Sequence, residues 1–139
     1  MRKIQNKAVM ENFDAFLDFI DSCINETGFD KVIINKIRLA CEEIIINIIK
    51  YAYPETKGDM TIHYRITKPA CIHITFIDQG VSFNPLEIVE PDIDAPIQER
   101  QIGGLGIFIV KKVMDEVVYE RIKGKNVLTI KKCPGEDHG

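Results

Sequence analysis

From Arg2 to Ala8 apolar and polar residues alternate loosely, which predicts one short strand. Asn12 or Asp14 stands where a helix cap is expected, and Phe13, Phe16, Leu17, Ile20 and Ile24 then recur at three- and four-residue spacing, so they share one helical face. That helix should stop near Gly28. Asp30 is placed to cap a second helix, striped by Ile33, Ile37, Ala40, Ile44 and Ile48 and running toward Pro54, a length of about 22 residues. At Met60 the period changes to two: Met60, Ile62, Tyr64 and Ile66 alternate with polar partners, Pro69 and Ala70 turn the chain, and Cys71 to Ile77 returns as an antiparallel strand. Asp78 to Gly104 carries Pro85, Pro91 and Pro96 with little periodicity and reads as loop. A short helix follows over Leu105 to Met114, then strands over Glu116 to Ile122 and Val127 to Ile130, joined by a Lys123-Gly124-Lys125-Asn126 turn. This order predicts an α+β two-layer sandwich, a mixed and mainly antiparallel sheet with helices packed on one face.

Composition narrows the class. In 139 residues, 45% apolar and 28% charged, an ordinary globular domain is expected, spanning 1–133 with a frayed tail at 134–139. Lys and Arg number 18 against 21 Asp and Glu, so no strong basic field marks the chain for nucleic acid. No apolar run approaches the roughly 20 residues of a membrane-spanning helix, and the first residues lack the pattern of a cleaved leader, which sets the expectation of a cytoplasmic protein with no membrane partner. Cys23, Cys41, Cys71 and Cys133 are scattered without a C-x-x-C pair, so buried free thiols are expected rather than a disulfide or a zinc site.

Three segments carry candidate chemistry. On the long helix, Glu43 and Asn47 lie four residues apart and stack on one face beside the apolar stripe, with Lys50 continuing the row. An isolated E-x-x-x-N is ordinarily a solvated helix border. The second segment, Asp78-Gln79-Gly80-Val81-Ser82-Phe83, follows an apolar strand: a carboxylate there can accept from the exocyclic amine of a bound base and would favour adenine over guanine, while Gly80 lets the backbone come close. The plain alternative is a strand-ending turn. The third, Gly103-Gly104-Leu105-Gly106, opens a helix with exposed N–H groups and little side chain, a setting for phosphates, although such loops also serve as hinges.

In this order and separation the three segments resemble the ATP-binding domain shared by gyrase, Hsp90, histidine kinases and MutL, the Bergerat-type fold. The resemblance is nearest to the small stand-alone anti-sigma-factor serine kinases and runs from the first helix to about Lys132. The E-x-x-x-N motif falls on Glu43 and Asn47, the D-x-G on Asp78 and Gly80, and the glycine box on Gly103-Gly104-Leu105-Gly106; Phe108 to Glu116 is also similar. Departures are Ser82 for the second glycine of D-x-G-x-G, Tyr51 where a histidine is frequent, and Lys125-Asn126 where Gly-Thr is frequent on the last strand. Asn126 is expected to be a turn residue.

The resemblance implies a serine/threonine protein kinase that binds ATP and Mg²⁺, phosphorylates a small antagonist protein in a partner-switching pathway, holds a sigma factor and forms a homodimer. Glu43 would be the general base and Asn47 the Mg²⁺ ligand, with Lys50, Asp78, Gly80, Phe83, Gly103, Gly104, Leu105 and Gly106 contacting nucleotide and Pro91 to Ile102 acting as a lid. Two other readings stay open: a nucleotide-gated binding module without catalysis, and a stand-alone histidine-kinase-like ATPase domain.

Overall fold

The computed structural model describes residues 1–67, 70–82 and 109–135. In chain order these form β1 (Arg2–Lys7), a 3-10 turn (Met10–Asn12), α1 (Phe13–Ile24), α2 (Lys31–Tyr51), β2 (Asp59–Thr67), β3 (Cys71–Asp78), a helical segment at 109–113, β4 (Glu116–Ile122) and β5 (Lys125–Lys132). The strands make one sheet in the order β1-β2-β3-β5-β4, and every neighbouring pair is antiparallel. The two-layer α+β architecture anticipated from the pattern is present, and among the described strands every pairing is antiparallel.

The alternation along the strands decides where the core lies. Met60, Ile62 and Tyr64 on β2, Ile72, Ile74 and Phe76 on β3, and Leu128 and Ile130 on β5 are buried with Phe16, Leu17, Ile20 and Ile24 of α1 and Ile37, Ala40, Ile44 and Ile45 of α2. On α2, Ile33 and Ile48 of the anticipated stripe are only partly buried, while Cys41, Ile45 and Asn47 are buried, so the inward face is rotated slightly from the simple isoleucine row. Asp30 caps this helix as expected, its Oδ1 accepting from Val32 N–H at 2.7 Å. Asn12 occupies the N-cap position of α1 without capping it, because its Nδ2 donates instead to the Lys7 carbonyl at 3.0 Å.

Two expectations are corrected at the far edge. The β4–β5 connection is a two-residue turn, Lys123 and Gly124, both with positive φ (49° and 78°), which continues the right-handed strand twist. Asn126 therefore belongs to β5 and not to the turn. Cys71 and Cys133, anticipated as free thiols, are joined in a disulfide. Their pairing follows from register: Ile72 faces Lys132, so the next positions outward bring Cys71 opposite Cys133 although 62 residues separate them. Cys23 and Cys41 remain thiols, as expected, both buried. Cys133 is further tied by its N–H to Asp115 Oδ2 at 2.7 Å, so the chain is anchored one residue beyond the sheet.

Candidate functional site

The C-terminal part of α2 meets the end of β3 at one corner of the sandwich. Val81 N–H donates to the Ala52 carbonyl at 2.8 Å, and a Cβ on Gly80 would run into that carbonyl and the Ala52 side chain. The glycine is thus required by helix-to-strand approach, a reason different from access to a ring. Tyr53 adds a second stitch: its hydroxyl donates to the Asp59 carbonyl and accepts from Gln79 N–H, both at 2.7 Å. Burial raises the proton affinity of that phenol, so it stays neutral and can serve both bonds.

Three residues of α2 toward its C-terminal half differ in burial. Asn47 is 3% exposed, and neither its Nδ2 nor its Oδ1 has a hydrogen-bond partner among the described residues. A buried amide left unpaired costs about 1–3 kcal/mol, so the arrangement suits a side chain whose partner comes from outside the described residues. Glu43, one turn earlier, is half-buried, and Lys50 is exposed on the last turn. The row read from the sequence thus diverges, with Asn47 inside and Lys50 at the surface.

Asp78 ends β3 on the helix-facing side and is 4% exposed. Its Oδ1 accepts from Gly80 N–H at 2.8 Å and from Asn126 Nδ2 at 2.9 Å. Burial pushes the carboxyl above the ordinary aspartate range, and the bonds from Asn126 and Gly80 and the charge of Arg121 pull it partly back. Asn126 lies opposite Asp78 in the β3–β5 register and is itself buried, at 6% exposure. Its Nδ2 also donates to the Val81 carbonyl at 2.8 Å, and its Oδ1 accepts from Tyr119 Oη at 2.6 Å and an Arg121 guanidinium nitrogen at 3.0 Å. The same guanidinium nitrogen reaches the Gly80 carbonyl at 2.8 Å, closing a ring of polar contacts around the strand end.

Sequence reading missed Tyr53, Tyr119 and Arg121 and misplaced Asn126. One signal was available: had Lys123-Gly124 been read as a two-residue hairpin loop, Asn126 would have shared the face of Leu128 and Ile130, which points to the core. Phe83, Gly103, Gly104, Leu105 and Gly106, and the segment from Pro91 to Ile102, lie outside the described residues. Among the described residues no group of three or more His, Cys, Asp or Glu is placed to hold a metal ion, and no helix is long and apolar enough to cross a membrane.

Residues 7–132 match the family described as the histidine kinase-like ATPase domain. A serine-protein kinase RsbW of Bacillus cereus is 32% identical over 111 residues, covering 77% of this chain and 69% of that protein. The serine-protein kinase RsbW of Listeria monocytogenes is 30% identical over 112 residues, covering 77% and 71%. Among solved structures, the RsbU and RsbW domains of Rv1364c from Mycobacterium tuberculosis superpose on 95% of this chain with a TM-score of 0.65 at 14% identity, and this chain spans 32% of that one. The histidine kinase domain of a blue-light activated kinase from Erythrobacter litoralis superposes on 86% with a TM-score of 0.53 at 16% identity, and this chain spans 60% of it. At those identities the two structures speak for the fold alone. Matched over most of its length by the family, and by kinases at 30% identity or more, the chain belongs to the histidine kinase-like ATPase domain family, alongside the RsbW-type serine-protein kinases.

Proposed function

We propose that this chain binds ATP with Mg²⁺ at the corner between α2 and β3 and transfers the γ-phosphoryl group to a serine or threonine of a small antagonist protein, in a partner-switching pathway that also involves a sigma factor. The observation that carries this reading is the buried amide of Asn47, unpartnered among the described residues, together with Asp78, a buried strand-end carboxylate bonded there through Oδ1 alone. The similarity to kinases named RsbW supports the choice of acceptor.

Each residue has a distinct task. Asp78 accepts from the exocyclic amine of adenine; guanine would set an acceptor against it and leave a buried charge unpaired, at a cost of about 1–3 kcal/mol. Asn47 fits as the protein's oxygen ligand for Mg²⁺, a hard cation that takes oxygen donors and keeps several waters. When bound, that ion neutralises charge on the phosphates. Glu43, half-buried one turn from Asn47, receives the proton of the attacking hydroxyl. Gly103, Gly104, Leu105 and Gly106 are assigned to the phosphates and Phe83 to the nucleotide on the sequence grounds given above, and Lys50, exposed on the last turn of α2, to the nucleotide on the same grounds.

The experiment is γ-phosphate transfer from labelled ATP to proteins recovered with the chain, run beside direct measurement of ATP affinity. Transfer to a serine or threonine of a recovered partner is the expected result. ATP binding with no transfer to any recovered partner would replace the kinase reading by that of a nucleotide-gated binding module.

A further inference from the structure

The bonding of Asn126 leaves it no capacity to read a ligand. Both of its amide hydrogens are spent inside the chain, one on Asp78 Oδ1 and one on the Val81 carbonyl, and its oxygen accepts from Tyr119 and Arg121. An amide held from four sides keeps one rotamer, and its Nδ2–H then fixes the carboxylate it faces. Gly80 N–H takes the same Oδ1 from another direction. No hydrogen bond among the described residues reaches Oδ2, so one oxygen of Asp78 is tied down and the other is kept for an incoming donor.

We infer that Asn126, braced by Tyr119 of β4 and by Arg121, is the positioning residue that presents Asp78 Oδ2 to the base and thereby sets adenine selectivity without touching the nucleotide. This rests on the ATP reading proposed above. A threonine hydroxyl at this position would offer Asp78 a single donor, and no brace from Tyr119 and Arg121 to an amide oxygen would exist. Arg121 from β4 and Tyr53, two residues beyond α2, act on the Asp78 carboxyl, and Asp59 and Lys125 line the same cavity. Burial disfavours the anion, and the bonds from Asn126 and Gly80 and the charge of Arg121 offset part of that cost.

The test compares parent, Asn126→Ala, Asn126→Thr and Asp78→Asn by calorimetric titration with Mg·ATP and Mg·GTP across pH, and by carboxyl-carbon NMR titration of Asp78 in the nucleotide-free protein. Asn126→Ala should lose roughly ten- to hundredfold in ATP affinity with little change for GTP, the size of a lost bond to a charged group. Its acid limb of ATP binding, and the NMR midpoint of Asp78, should both move to higher pH. Asn126→Thr should restore part of the selectivity. In an Asp78→Asn background the alanine change should add nothing further to the ATP-to-GTP ratio, because its only route is through Asp78. Far-ultraviolet dichroism of each variant separates misfolding from these effects. A parent that binds no ATP overturns the nucleotide reading and this inference with it. A parent that binds ATP while Asn126→Ala keeps the same ATP-to-GTP ratio and the same Asp78 midpoint overturns this inference alone, as does equal loss of ATP and GTP in a folded variant.

Discussion

Glu43, Asn47 and Asp78 each have a proposed role that a single substitution can isolate. Glu43→Gln keeps size and hydrogen bonding but removes the base, so phosphoryl transfer should fall about 10²–10⁴-fold while ATP affinity holds. A merely solvated helix glutamate would instead shift stability within about 0.5 kcal/mol and leave transfer intact. Asn47→Ala should lose the part of ATP affinity that depends on Mg²⁺, seen as the same titration with and without the metal; unchanged Mg²⁺ dependence would remove Asn47 as ligand. For Asp78 the direction of its proton affinity sets a pH dependence. Because burial raises the folded value, Asp78 contributes stability that is present below the ordinary aspartate pKa, about 3.9, and is lost as pH rises through the folded one. Its use as an acceptor runs the other way: ATP binding should weaken on acidification at a pH above the range where an exposed aspartate protonates, and Asp78→Asn should abolish that limb along with the preference over GTP.

Between α2, β3 and the β4–β5 hairpin, a few close approaches fix the frame that holds those residues. Gly80→Ala places a Cβ against the Ala52 carbonyl, a backbone atom that cannot swing aside, so urea unfolding should show a loss of about 1–3 kcal/mol. The isoleucine-rich α2 was legible from its 3.6-residue stripe and its Asp30 cap, and so was the switch to period two at Met60. The β4–β5 hairpin is legible as two strands, but the sequence pattern extends its loop over Lys125 and Asn126, two residues that belong to β5. Periodicity alone is weak over the seven or eight residues of each strand, and the decisive cue was Gly124 as the second positive-φ residue of a tight turn. That error of two residues hid Asn126, because it moved a core-facing strand position into solvent.

Across the whole molecule the Cys71–Cys133 bridge closes the sheet end opposite Asp78 and Asn126 on the same strand pair. Restricting a loop of that length in the unfolded chain contributes about 4 kcal/mol in the chain-entropy account, so a reductant should lower the melting temperature, and Cys133→Ser should remove the response. Alkylation of unfolded, unreduced protein should label Cys23 and Cys41 alone, and labelling of all four would refute the bridge. In the folded state Cys41 should resist alkylation, since burial raises its thiol well above the ordinary range. The sequence by itself determined the element types, the antiparallel β2–β3 pair, the cap of α2 and the membership in an ATP-binding family, because those depend on local periodicity and on motifs whose spacing is written along the chain. It also named Glu43, Asn47 and Asp78 as candidates. Only the tertiary structure decided which were buried and with whom: that Asn47 is enclosed while Lys50 is exposed, that Gly80 is demanded by Ala52, that Asp78 is held by Asn126, and that two cysteines 62 residues apart face each other. Each of these depends on strand register or helix approach, quantities set by pairing across the sheet and absent from any local stretch of sequence.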